Sequence, residues 1–333
     1  MQFRHFRHEI SSKSFRFRAI QALSLLAVFS FGAAAADAQP VQDWSTIETV
    51  VVTAKPPGPA RWHAVKGRAE VWILPTVSPV PKDLHWDDSA IAALIKDANA
   101  VLLPPRGEVG VFEGLWFYMT DMDSLEQKNG AALEATLPAP LKERFVTTRQ
   151  KIGKDADRYG RFLGGVAALM LESDYWKFAQ LSPNGPQKSI ERLASRAGVH
   201  AKAVAVYPAM SIVHDVPNMS AAAHLACISD ALDDIAVEEE HALPAAQAWA
   251  VGDIAGVKNN YAEIKLDQCL SASNAYSVLR ENANRDMTAA ILAALDKPGK
   301  TIAVMPIGFF LRKGGVLPLL LHLGQVDAAE VQV

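Results

Sequence analysis

Residues 61–86 constrain the fold most strongly, because two strands, a tight turn and the start of a helix follow one another there without interruption. Side chains suited to a half-buried β-hairpin alternate in Arg61–Val65 and Glu70–Leu74, on either side of Gly67. The segment Pro75–Ser78 follows the second strand directly. Because α/β proteins keep their chemistry at such strand ends, we expect the functional site there.

The rest of the chain alternates between helical and strand periodicity, which predicts an α/β fold with a central, mostly parallel sheet and the N-terminal hairpin at its side. The apolar strand 100–103 is typical of a buried parallel strand, and Pro104 ends it because proline cannot continue a ladder. Helices are predicted over 87–99, 139–151, 159–181, 189–198, 220–241, 244–251, 275–295 and 317–323. Further strands are predicted over 202–206, 301–305 and 328–333.

Three glycines lie in the predicted helix 159–181, namely Gly160, Gly164 and Gly165. They would permit a close contact with another helix, or alternatively mark a kink. Charged residues such as Glu172 interrupt the apolar run and argue against a membrane helix.

Residues 1–38 are typical of a secretory signal: five basic residues, an apolar run from Ala19 to Phe31, and a small-x-small cleavage site at Ala36–Ala38. Cleavage would leave Gln39 as the mature N-terminus, in the periplasm. An uncleaved anchor is the alternative, but the apolar run is shorter than the roughly 20 residues that a membrane span needs. We therefore expect no membrane span after cleavage.

The mature chain is mildly acidic. Removing residues 1–38 takes away 5 of 33 basic and 2 of 36 acidic residues, which leaves a net charge near −6. A chain without a basic patch is a poor candidate for binding nucleic acid or an anionic membrane. In an exported protein Cys227 and Cys269 are candidate disulfide partners; the alternative is two separate buried thiols.

Residues 39–58 are predicted to form a linker with one β-prone segment, Ile47–Ala54. This segment resembles the TonB box, by which outer-membrane receptors hand a strand to an energising partner. It could add a strand to a partner's sheet edge. An ordinary linker or an extra edge strand is the alternative.

Residues 59–333 resemble the TraB/GumN family, also called PrgY or Tiki-like. Pro59–Trp62 and Val71–Leu74 match the family's opening Pro-x-x-Trp strand and second apolar strand, and Ala248–Asp253 matches its Trp-x-x-Gly-Asp landmark. The resemblance implies an EreA/ChaN-like α/β fold with a helical insertion at about 109–187.

The family resemblance also implies a metal-dependent site at the strand ends. The family builds it from two Gly-x-x-His motifs, a Glu after the third strand and an Arg-Asn pair on the long C-terminal helix. In this chain the matching positions carry Ser78 and Phe309 for the two histidines, Pro104 for the Glu, and Ala283 for the Arg beside a retained Asn284; a further acidic position falls at Tyr207. Of the four replacements Ser78, Pro104, Ala283 and Phe309, only the Ser oxygen could approach a divalent metal, so we expect no metal site here.

Other polar residues expected near the same cleft are Thr76, Lys82, Arg106 and Arg285. Ser78 lacks the Gly-x-Ser-x-Gly setting of a hydrolase nucleophile, although His85 is close in sequence.

An acidic cluster provides the nearest thing to a replacement site. Its members are Asp230, Asp233, Asp234, Glu238 and His241. A di-metal bundle needs a Glu-x-x-His pair on each of two helices, and this chain offers one. We therefore interpret the cluster as a solvated acidic helix face.

The sequence favours an exported, periplasmic protein that keeps the family scaffold, has lost the catalytic set and works by binding a peptide, a glycan fragment or a partner loop. The alternative is a metal-dependent hydrolase or peptidase with a relocated site, and only that alternative requires a divalent metal cofactor. A third class is an adaptor that acts through Ile47–Ala54.

Overall fold

The computed structural model describes residues 58–128, 130–261, 264–270, 273–311 and 315–322. The predicted signal segment 1–38, the β-prone segment Ile47–Ala54 and the predicted strand 328–333 lie outside these residues.

The described strands are β1 (Trp62–Lys66), β2 (Ala69–Thr76), β3 (Val80–Pro81), β4 (Ala98–Leu103), β5 (Arg106–Glu108), β6 (Leu181–Ser182), β7 (Ala201–Ala203), β8 (Val206–Pro208) and β9 (Gly299–Pro306). The described α-helices are α1 (Ser89–Lys96), α2 (Val111–Thr120), α3 (Leu133–Thr136), α4 (Ala139–Lys151), α5 (Gly164–Phe178), α6 (Gly185–Arg196), α7 (Met210–Asp215), α8 (Ala221–Ala250), α9 (Ile254–Asn260), α10 (Leu266–Leu270), α11 (Asn274–Leu295), α12 (Ile307–Leu311) and α13 (Val316–His322). The helices α2 to α5 occupy the segment 109–187; its interpretation as an insertion stays a prediction.

The central sheet has the strand order β1-β2-β9-β4-β7. β1 pairs with β2 as an antiparallel hairpin, and β2, β9, β4 and β7 run parallel. The predicted mostly parallel sheet with its N-terminal hairpin is therefore confirmed. The middle strand, β9, is apolar and buried along most of its length because helices cover both faces of the sheet.

The predicted strand 202–206 is wrong as a single element, because the chain changes sheets within it. β7 belongs to the central sheet, whereas β8 pairs in parallel with β5. Pro104 and Pro105 interrupt the neighbouring chain at the same level. β4 and β7 therefore end together, and their continuations β5 and β8 form a second ribbon.

The predicted break between helices 220–241 and 244–251 is also wrong. α8 is one helix of 30 residues, and it continues through Pro244 without a break. Its first half packs Ile228 into a helical core cluster, and its second half packs Trp249 against the sheet. Packing at both ends outweighs the local cost of one proline inside the helix. The predicted helix 159–181 starts later, at Gly164, because a separate 3-10 turn spans Ala156–Arg158.

Three apolar clusters make up the core. One lies on the sheet face covered by α11 and α12, one lies on the opposite face under α1 and α6, and the third is formed by α5, α8 and their helical neighbours. A disulfide joins Cys227 of α8 to Cys269 of α10 inside the helical cluster, with the two Cα atoms 4.9 Å apart. Within the described part of the chain, every helix is too short or too polar to cross a membrane.

Candidate functional site

The strand ends predicted to carry the site are adjacent in the structure. Thr76 at the end of β2 lies in register with Pro306 at the end of β9, and β4 flanks β9 on its other side. Ser78, Phe309 and Pro104 therefore follow three neighbouring parallel strands at the same edge of the sheet.

Apolar packing fills this edge. Ala283 of α11 and Phe309 of α12 are both buried, and they belong to the same apolar cluster as Val77. Tyr207 packs against that cluster, and its hydroxyl donates a hydrogen bond to Asp286 Oδ2. Burial, reinforced by the Asp286 carboxylate, raises the pKa of Tyr207. Of the sequence positions that the family resemblance assigns to a catalytic centre, Ala283 and Phe309 therefore form core here, whereas Pro104, Tyr207 and Asn284 are partly buried.

Ser78 is a hydrogen-bonded, nearly buried residue. The residue is only 8% exposed, and its Oγ donates a hydrogen bond to the Pro183 carbonyl oxygen at 2.7 Å. A serine nucleophile instead passes its proton to a base. Thr76 is engaged similarly, because its Oγ1 donates to the Met305 carbonyl oxygen at 3.3 Å. Both hydroxyls therefore help to fix the strand ends.

These residues do not fit the divalent metal that the resemblance implies. Pro104, Ala283 and Phe309 have no side-chain oxygen, nitrogen or sulfur, and such atoms are what a protein uses to hold a metal. Across the described ranges, no group of three or more His, Cys, Asp or Glu side chains is placed to hold a metal ion.

The polar residues expected around the cleft make contacts of their own. Lys82 Nζ lies 3.4 Å from Gln180 Oε1, and Arg106 forms an exposed ion pair with Glu108. Arg285 is exposed and donates to Asn282 Oδ1 at 2.6 Å. The Asn284 carbonyl oxygen accepts from the Thr288 hydroxyl at 2.9 Å.

A small pocket of about 30 Å³ adjoins Ser78 on the side facing α8. We call it the α8 pocket. Its lining residues are Val77, Ser78, Pro79, Asp234, Val237, Glu238, His241, Ala242, Ala245, Asn260, Tyr261 and Ile264. Val237, His241 and Asn260 are half-exposed and form its rim, whereas the carboxylates and the three residues that follow β2 (Val77, Ser78 and Pro79) are buried. Ser78 thus belongs both to the predicted strand-end site and to this pocket.

The interpretation of the acidic cluster as a solvated helix face is wrong for two carboxylates that line the α8 pocket. Asp234 is 4% exposed and Glu238 is 9% exposed, so both point inward. Asp234 accepts hydrogen bonds from the backbone N–H groups of Lys265 and Leu266, each at 2.7 Å. Burial nevertheless raises its pKa to about 7. Asp233, the residue before Asp234, does lie at the surface as predicted. It forms ion pairs with Arg144 and Lys265.

Glu238 is the more unusual of the two. Its Oε2 accepts a hydrogen bond from Trp176 Nε1 at 2.8 Å, while Oε1 is buried and has no hydrogen-bond partner among the described residues. Burial raises the pKa of Glu238 well above its usual range, and the nearby Asp234 carboxylate raises it further. Such a perturbed acid in a pocket is typical of functional sites.

The sequence did carry a signal for this burial. Glu238 lies on the stripe of α8 that also presents Ile235, Ala242 and Ala245 to the interior, at spacings of three and four residues. A charged residue on an apolar stripe predicts a buried carboxylate. The acidic cluster as a whole does not show this burial, because its other members do not all lie on the apolar stripe.

The landmark Ala248–Asp253 ties α8 to the strand ends. Trp249 Nε1 donates to the Pro75 carbonyl oxygen at 2.7 Å. Gly252 adopts a φ of +67°, which favours glycine, and Asp253 Oδ1 accepts from Gly256 N at 3.0 Å to start α9. The landmark therefore has a structural function in this chain.

Comparison with known proteins agrees with this architecture. The family model described as TraB/PrgY/gumN matches residues 60–324. No curated protein and no solved structure gives a significant match. The EreA/ChaN-like topology therefore stays a prediction. The match extends over most of the chain, including the hairpin, the Trp249 landmark and β9, so the chain belongs to the TraB/PrgY/gumN family.

Proposed function

We propose that this protein is an exported binding protein of the cell envelope, whose family scaffold has lost the metal-dependent catalytic set. One observation carries the proposal: Val77, Ala283 and Phe309 pack together at the strand ends where the family resemblance places metal ligands. An apolar cluster there can support the shape of a binding site but supplies no group that would activate water.

The Ser78 hydroxyl supports the same proposal. It donates to a backbone carbonyl oxygen and so has no base to take its proton in that arrangement. We propose that the surface around the α8 pocket receives a peptide, a glycan fragment or a partner loop. Specific pockets of this kind combine apolar walls with a few placed polar groups, as the α8 pocket does.

Metal content and peptidase activity test the loss of catalysis. Purified protein is incubated with manganese or cobalt, desalted and analysed for bound metal, and then assayed on a peptide library with and without the added ion. We expect no stoichiometric metal and no metal-dependent cleavage. One equivalent of tightly held ion together with metal-dependent cleavage would contradict the proposal.

A thermal-unfolding screen tests whether the protein binds a peptide or a glycan fragment. Peptides and glycan fragments are added to the same protein, and a specific ligand at one hundred times its Kd should raise the free energy of unfolding by about 2.7 kcal/mol. A screen in which no compound shifts the transition would count against binding by this surface.

A hydrolase with a relocated site is the second candidate, and the perturbed acids Asp234 and Glu238 beside Ser78 favour it. If the library assay reveals cleavage, the variant Glu238→Gln decides between the two. Cleavage that disappears in this variant while the fold is retained would support the relocated site.

A further inference from the structure

The unpaired oxygen of Glu238 marks the α8 pocket as a site for a hydrogen-bond donor. Glu238 is more than nine-tenths buried, it lines the pocket, and its Oε1 lacks a partner among the residues that the structure describes. Leaving a buried acceptor unsatisfied costs free energy, because the atom has lost its bonds to water without gaining others. A ligand that donates to this oxygen would recover that cost.

The charges around the pocket specify a cation. Asp234 and Glu238 both line it, and in the described part of the chain neither lysine nor arginine does. Glu240 adds a further carboxylate near the rim, 3.8 Å from His241 Nε2. A positively charged group would therefore be attracted by the rim and would meet carboxylates inside.

The donor set favours an ammonium group over a metal ion. Hard divalent cations take six or more oxygen ligands, whereas both oxygens of Asp234 already accept backbone N–H groups. The Ser78 Oγ proton is directed at Pro183 O, so the oxygen's lone pairs are left to accept. Glu238 Oε1 and Ser78 Oγ are thus acceptors on two residues that line the pocket, which suits an –NH₃⁺ group with its three N–H donors.

The size and walls of the pocket specify what the ammonium is attached to. An interior of about 30 Å³ has room for a group of the size of water or ammonium. The walls beside it, Val237, Ala242, Ala245 and Ile264, are apolar and would contact a hydrocarbon stem. We propose that the α8 pocket binds the ammonium end of a primary amine carried on an aliphatic chain, as in a lysine side chain or a free alkylamine. This site goes beyond the proposed function, because it requires neither the loss nor the presence of catalysis.

Calorimetric titration of the purified protein with n-butylamine, at an alkaline pH where Glu238 is ionised and the amine is still charged, tests the proposal. We expect saturable 1:1 binding, and n-butanol, which has the same stem length without the charge, should bind at least tenfold more weakly. Nα-acetyl-lysine amide as a second probe distinguishes a lysine side chain from a free amine; binding of either amine supports the site.

Three variants locate the binding. Glu238→Gln removes the charge at constant size and should weaken amine binding at least tenfold. Ala242→Val adds two methyl groups to the wall and should weaken it as well, so the site stays testable if Glu238→Gln fails to fold. Glu239→Gln, on an exposed side chain of α8 that forms an ion pair with Lys151 and does not line the pocket, is the matched control and should change the affinity less than threefold.

Two results would overturn the proposal. One is the absence of saturable amine binding to the wild-type protein, as expected if a trapped water satisfies Glu238. The other is amine binding that is unchanged in Glu238→Gln and in Ala242→Val, which would place the amine elsewhere.

Discussion

Glu238 of α8 and Asp174 of α5 are both buried carboxylates, yet their surroundings shift their pKa values in opposite directions. Burial alone would raise the pKa of Asp174, but the hydrogen bonds and charge of Arg158, with Lys177 and Lys154, hold it below its usual range. Arg158 Nε donates to Asp174 Oδ2 at 2.8 Å. Within the described ranges Glu238 has a tryptophan N–H and no cation as its partner, so burial dominates.

Glu238 should make the protein less stable as pH rises. Its pKa is raised in the folded state, so the folded protein binds more protons than the unfolded chain once pH exceeds the ordinary glutamate value. We expect Glu238→Gln to change the free energy of unfolding little at pH 4 and to raise it by about 1–3 kcal/mol at pH 8. Urea unfolding across this pH range is the measurement, and an equal effect at both pH values would be inconsistent with a raised pKa of Glu238 in the folded protein.

Asp174→Asn is the comparison of opposite sign. The folded-state pKa of Asp174 is lowered, so its contribution is present above the ordinary aspartate value and is lost as pH falls through the folded value. The variant should be destabilised by about 3 kcal/mol at pH 7, because it leaves Arg158 partly buried without its partner. That loss should shrink in acid.

At the scale of elements, the contact between α5 and α8 depends on glycine. A Cβ atom at Gly164 would lie 2.6 Å from the His224 backbone oxygen, whereas one at Gly165 would lie 3.4 Å from the His224 ring. The interpretation of these glycines as a close helix contact is therefore confirmed for Gly164. Gly160 lies before the helix, outside this contact.

Gly164→Ala should lower the free energy of unfolding by about 1–3 kcal/mol, because backbone cannot move aside as a flexible side chain can. Gly165→Ala, one residue away in the same turn, is the matched control and should stay within about 1 kcal/mol of the wild type. Denaturant midpoints measured on the two variants check this. Equal midpoints would mean that the helices separate without cost.

Local patterns explain which elements the sequence could predict. The hairpin, α4, α11 and β9 follow from alternation and from spacings of three and four residues, and they appear close to their predicted bounds. The continuity of α8 through Pro244 and the switch from β7 to β8 depend on packing between distant segments. The α8 pocket depends on such packing too, because Val77, Glu238 and Tyr261 meet there from three separate parts of the chain. The periodicity of a single sequence does not show which distant segments of the chain pack together.

At the scale of the whole molecule, the disulfide between Cys227 and Cys269 agrees with an exported protein, since such bonds persist in oxidising compartments. It closes a segment with a sequence separation of 42, for which chain entropy gives roughly 4 kcal/mol of stabilisation. Export itself stays a proposal that rests on residues 1–38.

Expression of the full chain in a Gram-negative host tests export. We expect the protein in the periplasmic fraction with Gln39 as its first residue, and no thiol that reacts with a labelling reagent after denaturation. Mass spectrometry of the fraction gives both answers. Recovery from the cytoplasm with Met1 intact and two reactive thiols would contradict the proposal.

The 30 residues of α8 form a rod of about 45 Å that is shared by the helical cluster and the sheet. Neither half of the molecule can come apart without exposing one end of this rod, so denaturant should melt both halves in one step. The inward amides near Ala231 and Ala246 should then exchange their hydrogens with solvent at a single, slow rate set by global opening.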